Sequence, residues 1–276
     1  DLYRKFTYTS QESYKLDHIA FVELGEKKDD NPYETFKDWY TKDFQSFIEY
    51  NITDVELVDK LEDKMKLLEL AISLAYAAKV NFNDVFGQVR MWDSIIYHYL
   101  NEHKIAIPPK KGSTKDAQYA GAYVKDPITG MHDWVVSFDL NSLYPHLIMQ
   151  YNISPETLLG TKHPSATVDG LLNRTVRIDG DFAVCANGAQ YRKDIRGFLP
   201  EMMEQIYEER TIYKKKMLAA KRDNEVHPSA KLQRDISKFN NIQMARKIQL
   251  NSAYGAIGNQ YFRYYDVRQA SGITTA

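Results

Sequence analysis

The sequence predicts an α+β chain, and three observations carry that prediction. Apolar residues recur at helical spacing from Asp43 to about Val80. A second helical stretch runs from Gly197 to Ala256 and is broken once, at Asp223–Ser229 with Pro228. Between them, Trp134, Val135, Val136 and Phe138 form a short aromatic and β-branched run that ends abruptly on Asp139.

Taken in order, residues 1–35 are mixed, with a strand-like piece at Ile19–Leu24 and a polar stretch at Glu26–Pro32. The run from Asp43 to Val80 is too long for one ordinary helix and predicts two or more. Residues 81–108 predict a further helix, with Trp92, Ile95, Ile96, Tyr99 and Leu100 as its buried stripe. Pro108-Pro109-Lys110-Lys111-Gly112-Ser113 is the clearest linker. The run from Trp134 predicts a buried strand. Asn141 and Ser142 then suit a helix N-cap, and Pro145 fits only a first helical turn. Residues 160–195 are turn-rich, with strand-like Val176–Ile178 and Phe182–Cys185. From Pro200 one helix runs to about Arg222 and a second from Ala230 to Ala256, an antiparallel hairpin.

Thirty-six basic residues balance 37 acidic ones, so the net charge of −1 selects no partner. The distribution does. Residues 1–80 hold 11 Lys/Arg against 17 Asp/Glu, whereas residues 210–249 hold 11 against 3, a segment suited to a polyanion. The single cysteine, Cys185, excludes an internal disulfide framework and fits a reducing compartment. No apolar run approaches the ~20 residues of a membrane span. The chain opens on Asp1 and stops at Ala276 without a terminating signal, so a longer parent protein is expected.

Chemistry concentrates at three places. A carboxylate at a strand end, followed by a tight turn and a helix, can hold a divalent metal beside a phosphate, although a lone Asp139 also suits a turn cap. Tyr50 and Asp54 lie one helical turn apart, where a carboxylate and a phenol can bind a metal and orient a water; a solvated helix face has the same spacing. On the hairpin, Arg210, Lys214 and Lys221 form a basic line, with Lys231, Arg234, Lys238, Arg246 and Lys247 on the second helix. Lys247, Asn251, Tyr254 and Gly258 share one face of it.

These motifs resemble those of family B DNA polymerases. Asp139-Leu140-Asn141-Ser142-Leu143-Tyr144-Pro145 is similar to the first catalytic motif of that family, and Asn152–Thr157 resembles its T-even bacteriophage branch. Lys247–Gly255 resembles the Lys-x-x-x-Asn-Ser-x-Tyr-Gly motif. Ile48–Val55 is similar to the third motif of the fused 3′–5′ exonuclease, and Tyr119-Ala120-Gly121-Ala122 to the element between the two domains. Asn141 and His146 depart from the phage pattern.

The resemblance implies a ribonuclease H-like exonuclease ending in residues 1–108. Linker and N-terminal palm would occupy 109–195, a helical fingers hairpin 196–260, and a return to the palm 261–276. It implies template-directed DNA synthesis with proofreading, using two Mg²⁺ ions. Asp139, the Leu140 carbonyl and Asp54 would be metal ligands, with Tyr50 assisting in the exonuclease. Ser142, Leu143 and Tyr144 would cradle a triphosphate through their backbone N–H groups, and Arg210, Lys214, Lys247 and Asn251 would bind it from the fingers. The Tyr144 ring would exclude a 2′-hydroxyl. Tyr254 and Gly255 would lie against a base pair, and Tyr119 and Gly121 would touch the template. The implied partners are primer–template DNA, deoxynucleoside triphosphates, the remainder of a polymerase chain and a sliding clamp, in the cytoplasm of an infected bacterium. The family's Asp-Thr-Asp triplet is not in the sequence. Two other classes stay open: a non-catalytic nucleic-acid-binding fragment, and one subunit of a split polymerase.

Overall fold

Helices dominate, and several start or stop where the sequence supplies a cap. The computed structural model describes residues 1–7, 9–28, 30–110, 121, 124–178 and 180–276. They fall into two units, Asp1–Ile72 and Ser73–Ala276. That division lies upstream of the linker expected at Pro108.

The first unit contains α1 (Leu2–Phe6), α2 (Leu16–Leu24), α3 (Phe36–Lys42), α4 (Phe44–Met65) and the start of α5 (Leu67–Ala78). Thr35 caps α3 by accepting the Asp38 N–H, and Asp43 caps α4 by accepting the Ser46 N–H. Gly25 ends α2 in the left-handed region at φ 76°. The strand expected at Ile19–Leu24 is therefore a helix. Leu16, Ile19 and Ala20 recur at helical spacing, and burying Ile19 and Ala20 on one face settles what a short apolar run leaves ambiguous. Trp39, only 2% exposed, anchors an aromatic cluster with Phe36, Phe47 and Tyr50, and its Nε1–H donates to Ser46 Oγ at 3.1 Å.

The second unit continues through a 3-10 turn (Phe82–Phe86), α6 (Gln88–Glu102), α7 (Leu143–Gln150), β1 (Leu158–Lys162) and α8 (Val168–Leu172). It is completed by β2 (Phe182–Val184), β3 (Ala189–Arg192), α9 (Phe198–Val226), α10 (Ala230–Ile257) and α11 (Val267–Thr275). The long hairpin expected from the sequence is α9 and α10, packed along their length, with Ser229 capping α10. Met91, Trp92, Ile96 and Leu100 bury one stripe of α6, which packs on α10. The Trp92 indole N–H reaches Ser252 Oγ at 3.1 Å across that contact. Arg263 pairs with Asp93 at 2.8 Å and donates to the Pro108 carbonyl at 2.7 Å.

The small sheet is antiparallel, in the order β1-β3-β2, with Leu158 opposite Tyr191 and Phe182 opposite Arg192. Cys185 is fully buried against it, and burial pushes its thiol up to about 12. Two expected strands do not form. Val176 instead turns back on α8, its N–H meeting the Gly170 carbonyl at 3.3 Å. The run Trp134–Phe138 is irregular and exposed, with Trp134 at φ 58° and 98% exposed and Phe138 at 90%. Strand preference reflects fit to a half-buried pleated surface, and no described strand lies beside this run to provide one. No described helix is long and apolar enough to cross a membrane.

One side chain ties α7 to the base of α9. Asn152, 6% exposed, donates to the carbonyls of Arg192 and Ile195 at 2.6 and 2.8 Å and accepts the Gly197 N–H at 2.9 Å. Asn152→Ala is expected to lower unfolding free energy by roughly 3 kcal/mol, since buried groups left unpaired cost about 1–3 kcal/mol each. Urea unfolding checks this, and a loss under about 0.5 kcal/mol would contradict it.

Candidate functional site

The turn after Asp139 is shaped by one residue in an unusual conformation. Ser142 sits in the left-handed region at φ 53° as the N-cap of α7, yet its side chain makes no cap hydrogen bond. Its Oγ instead meets the Arg210 guanidinium, Nη1 donating at 3.4 Å from α9. The Leu143 and Tyr144 N–H groups therefore keep no side-chain cap, and Pro145 has no N–H to offer. A helix N-terminus in this condition favours an anion. Arg210 adds to that preference, because its Nε is buried and has no hydrogen-bond partner among the described residues.

Behind the turn, the Tyr144 ring lies 4.6 Å from that of Tyr254 on α10, and His146 packs edge-on to Tyr207 at 4.7 Å. The expected residues Ser142, Tyr144, Arg210 and Tyr254 are thus brought together from three helices. Lys214 lies one turn beyond Arg210 and is exposed, and Lys247 is half-buried on α10. Asn251 and Gly255 are exposed near the end of α10, and no recorded contact joins Lys214 or Asn251 to the turn. Just inside the basic residues, Glu209 pairs with Arg246 at 2.6 Å, fixing the register of α9 against α10. Antiparallel pairing of the expected hairpin could have suggested that contact.

Asp139 is exposed, as is Leu140 at 70%. Asp139 thus closes an open extended segment instead of a buried strand. Among the described residues, no three His, Cys, Asp or Glu side chains are grouped to hold a metal ion. Mg²⁺ takes six oxygens, so Asp139 and the Leu140 carbonyl fit it as contributors and do not suffice alone. Asp266 accepts the Arg268 N–H at 2.8 Å and pairs with its guanidinium at 2.7 Å.

In the first unit, Tyr50 and Asp54 do share a face of α4, and the structure adds a residue the sequence did not reveal. Lys28 Nζ lies 2.7 Å from Asp54 Oδ2 and 4.7 Å from the centre of the Tyr50 ring. Partial burial opposes its charge, but hydrogen bonds to Asp54 and Tyr50 outweigh that, so Lys28 titrates above the usual lysine range. Asp54 Oδ1 remains buried without a partner among the described residues. No spacing rule links residues 28 and 54, so this pair was illegible. Tyr119 lies outside the described residues; Gly121 is exposed, with open space around it.

The chain is 35% identical to the DNA-directed DNA polymerase of Escherichia phage RB69 over 100% of its length, which is 35% of the phage protein. It is 31% identical to that of Enterobacteria phage T4, covering 99% of the chain and 35% of the relative. Against the DNA polymerase delta catalytic subunit of Schizosaccharomyces pombe the identity is 28%, over 95% of the chain and 23% of the relative. The sequence profile of DNA polymerase family B matches residues 82–276, which include both the Ser142 turn and the α9–α10 hairpin. With that profile covering most of its length, the chain belongs to DNA polymerase family B.

Proposed function

We propose that this chain takes part in template-directed DNA synthesis by binding the incoming deoxynucleoside triphosphate and the end of a primer–template. The observation that carries this reading is the meeting of an uncapped α7 terminus with Arg210 through Ser142. A triphosphate tail would accept the Leu143 and Tyr144 N–H groups, with Arg210 as its nearest cation and Lys214 and Lys247 adding charge along the two helices. The Tyr144 ring, backed by Tyr254, would sit beneath the sugar and leave no room for a 2′-hydroxyl. Asn251 and Tyr254 would face the base, and Gly255 and Gly121, with Tyr119, the DNA.

Two Mg²⁺ ions, when bound, would supply charge neutralisation and activation of the primer hydroxyl. Asp139 and the Leu140 carbonyl would contribute oxygens to them, and a second carboxylate motif, absent from this sequence, would contribute the rest. The role of this chain's residues is to hold the triphosphate, orient its sugar and discriminate against ribose.

The proposal also assigns residues 1–108 to the end of a ribonuclease H-like 3′–5′ exonuclease and 109–195 to linker and palm. Residues 196–260 would be fingers, and 261–276 the return to the palm. In the exonuclease, Asp54 would be a metal ligand assisted by Tyr50, and Lys28 would balance its charge until a cation arrives. The buried, unpartnered Asp54 Oδ1 supports that role. The expected setting is the cytoplasm of a phage-infected bacterium, with primer–template, the rest of a polymerase and a sliding clamp as partners.

Triphosphate binding tests the reading. Replacing Arg210, Lys214 and Lys247 by Ala should weaken deoxynucleoside triphosphate affinity at least tenfold, since hydrogen bonds to charged groups contribute about 1.5–3 kcal/mol each. The salt dependence should flatten in parallel. Calorimetric affinities unchanged by the triple substitution would refute the fingers assignment. Separately, Tyr144→Ala should bring ribonucleotide and deoxyribonucleotide triphosphate affinities close together while sparing the latter. A preference for deoxyribose as strong as in the parent chain would remove Tyr144 from sugar selection.

A further inference from the structure

His146 departs from the phage motif around it, and the nucleotide site described above leaves it without a role. It stands half-buried in the first turn of α7 and makes two bonds to one atom. Its backbone N–H donates to the Ser142 carbonyl at 3.1 Å, and its ring Nδ1 lies 2.9 Å from the same oxygen. A carbonyl only accepts, so Nδ1 carries a hydrogen and donates it. The same ring-to-carbonyl bond joins His103 to Tyr99 at 2.8 Å, at the end of α6, where Tyr99 is an ordinary helical residue. At His146 the bond falls instead on the left-handed Ser142, at φ 53°, a conformation that a residue with a Cβ disfavours.

What the bond fixes follows from the geometry of a peptide. The Ser142 carbonyl and the Leu143 N–H belong to one planar, trans unit and point in opposite directions. Holding the oxygen toward His146 therefore holds the Leu143 N–H outward, at the free end of α7. Arg210 Nη1 grips the same residue from the other side, at Ser142 Oγ. The His146 ring is itself seated edge-on to Tyr207, which lies on α9 one turn before Arg210. One side chain thus touches both the turn and the helix that brings the cation to it. We infer that His146 is a positioning residue for the anion-binding turn: its Nδ1–H locks the Ser142 carbonyl and so aims the Leu143 N–H at a triphosphate, an inference that rests on the triphosphate reading of that turn.

Calorimetric affinities of the 276-residue chain for inorganic tripolyphosphate and for a deoxynucleoside triphosphate test this role. His146→Phe keeps a ring against Tyr207 and removes the donor. It should bind both ligands about threefold to tenfold more weakly, the loss of one neutral hydrogen bond. His146→Leu, smaller and also without a donor, should lose the same factor, so the result does not hang on one substitution folding. His146→Asn places an amide N–H where Nδ1 was and should bind within about twofold of the parent. Circular dichroism verifies the fold of each variant. Parent-like affinity in the Phe and Leu variants overturns the role of His146 while leaving triphosphate binding intact. So does an Asn variant as weak as the Phe variant, or a loss confined to the nucleotide with tripolyphosphate unaffected. Failure of the parent chain to bind either ligand overturns the triphosphate reading and this inference with it.

Discussion

The second unit depends on the amide of Asn152, which joins the helix that begins at the Ser142 turn to the helix that carries Arg210. Ser142 and Arg210 meet across α7 and α9, and a shift of one helix past the other would separate them. Asn152 prevents that shift with three hydrogen bonds at the point where α7 ends and α9 begins. The chain can close so tightly there because residue 197 is glycine. A Cβ at that position would come within 2.5 Å of Ser154 Cβ, and Ser154 Oγ and Glu156 receive the first N–H groups of α9. Polar groups buried at a joint are costly unless fully paired, and this joint is paired throughout. A second tie, Glu209 to Arg246, sets the register of the hairpin that carries Lys214 and Lys247.

Charge is managed locally in both units. The chain is near neutral as a whole, yet the hairpin is basic and carries an incompletely satisfied Arg210, while Asp54 is held by a lysine from another segment. Each arrangement places one sign of charge where its partner is only partly supplied. Arg210 has a half-buried neighbour in Ser142, and among the described residues its buried Nε and Asp54 Oδ1 have no hydrogen-bond partner. In the proposed function these are the points at which a phosphate and a cation would be received. Lys28 is then a competitor that a divalent ion must displace, so its removal would change metal affinity before it changed stability.

What could be read from the sequence follows from how local each feature is. The α9–α10 hairpin was legible because helical periodicity, Pro200 and the break at Pro228 are all short-range signals, and α7 likewise because of Ser142 and Pro145. The strand at Trp134–Phe138 was misread because a strand is defined by its neighbour, and β-branched residues only state that a neighbour would be welcome. Ile19–Leu24 was misread for the converse reason, as a short apolar run decided by the face it buries. Of the site, the Tyr144–Tyr254 and Ser142–Arg210 pairings were reachable only through motifs that place each member. Lys28 carries no motif. Its partner Asp54 lies far along the chain, and only the folded arrangement brings the two into contact.

The central claim is that Asp139 and its turn form half of a polymerase centre whose remaining carboxylate comes from a segment bearing an Asp-Thr-Asp triplet. Primer extension in the presence of Mg²⁺ tests it most directly. The account predicts no extension by this chain alone, extension once such a segment is supplied, and its loss on Asp139→Ala. Robust extension by this chain alone, or extension that survives Asp139→Ala, would contradict it.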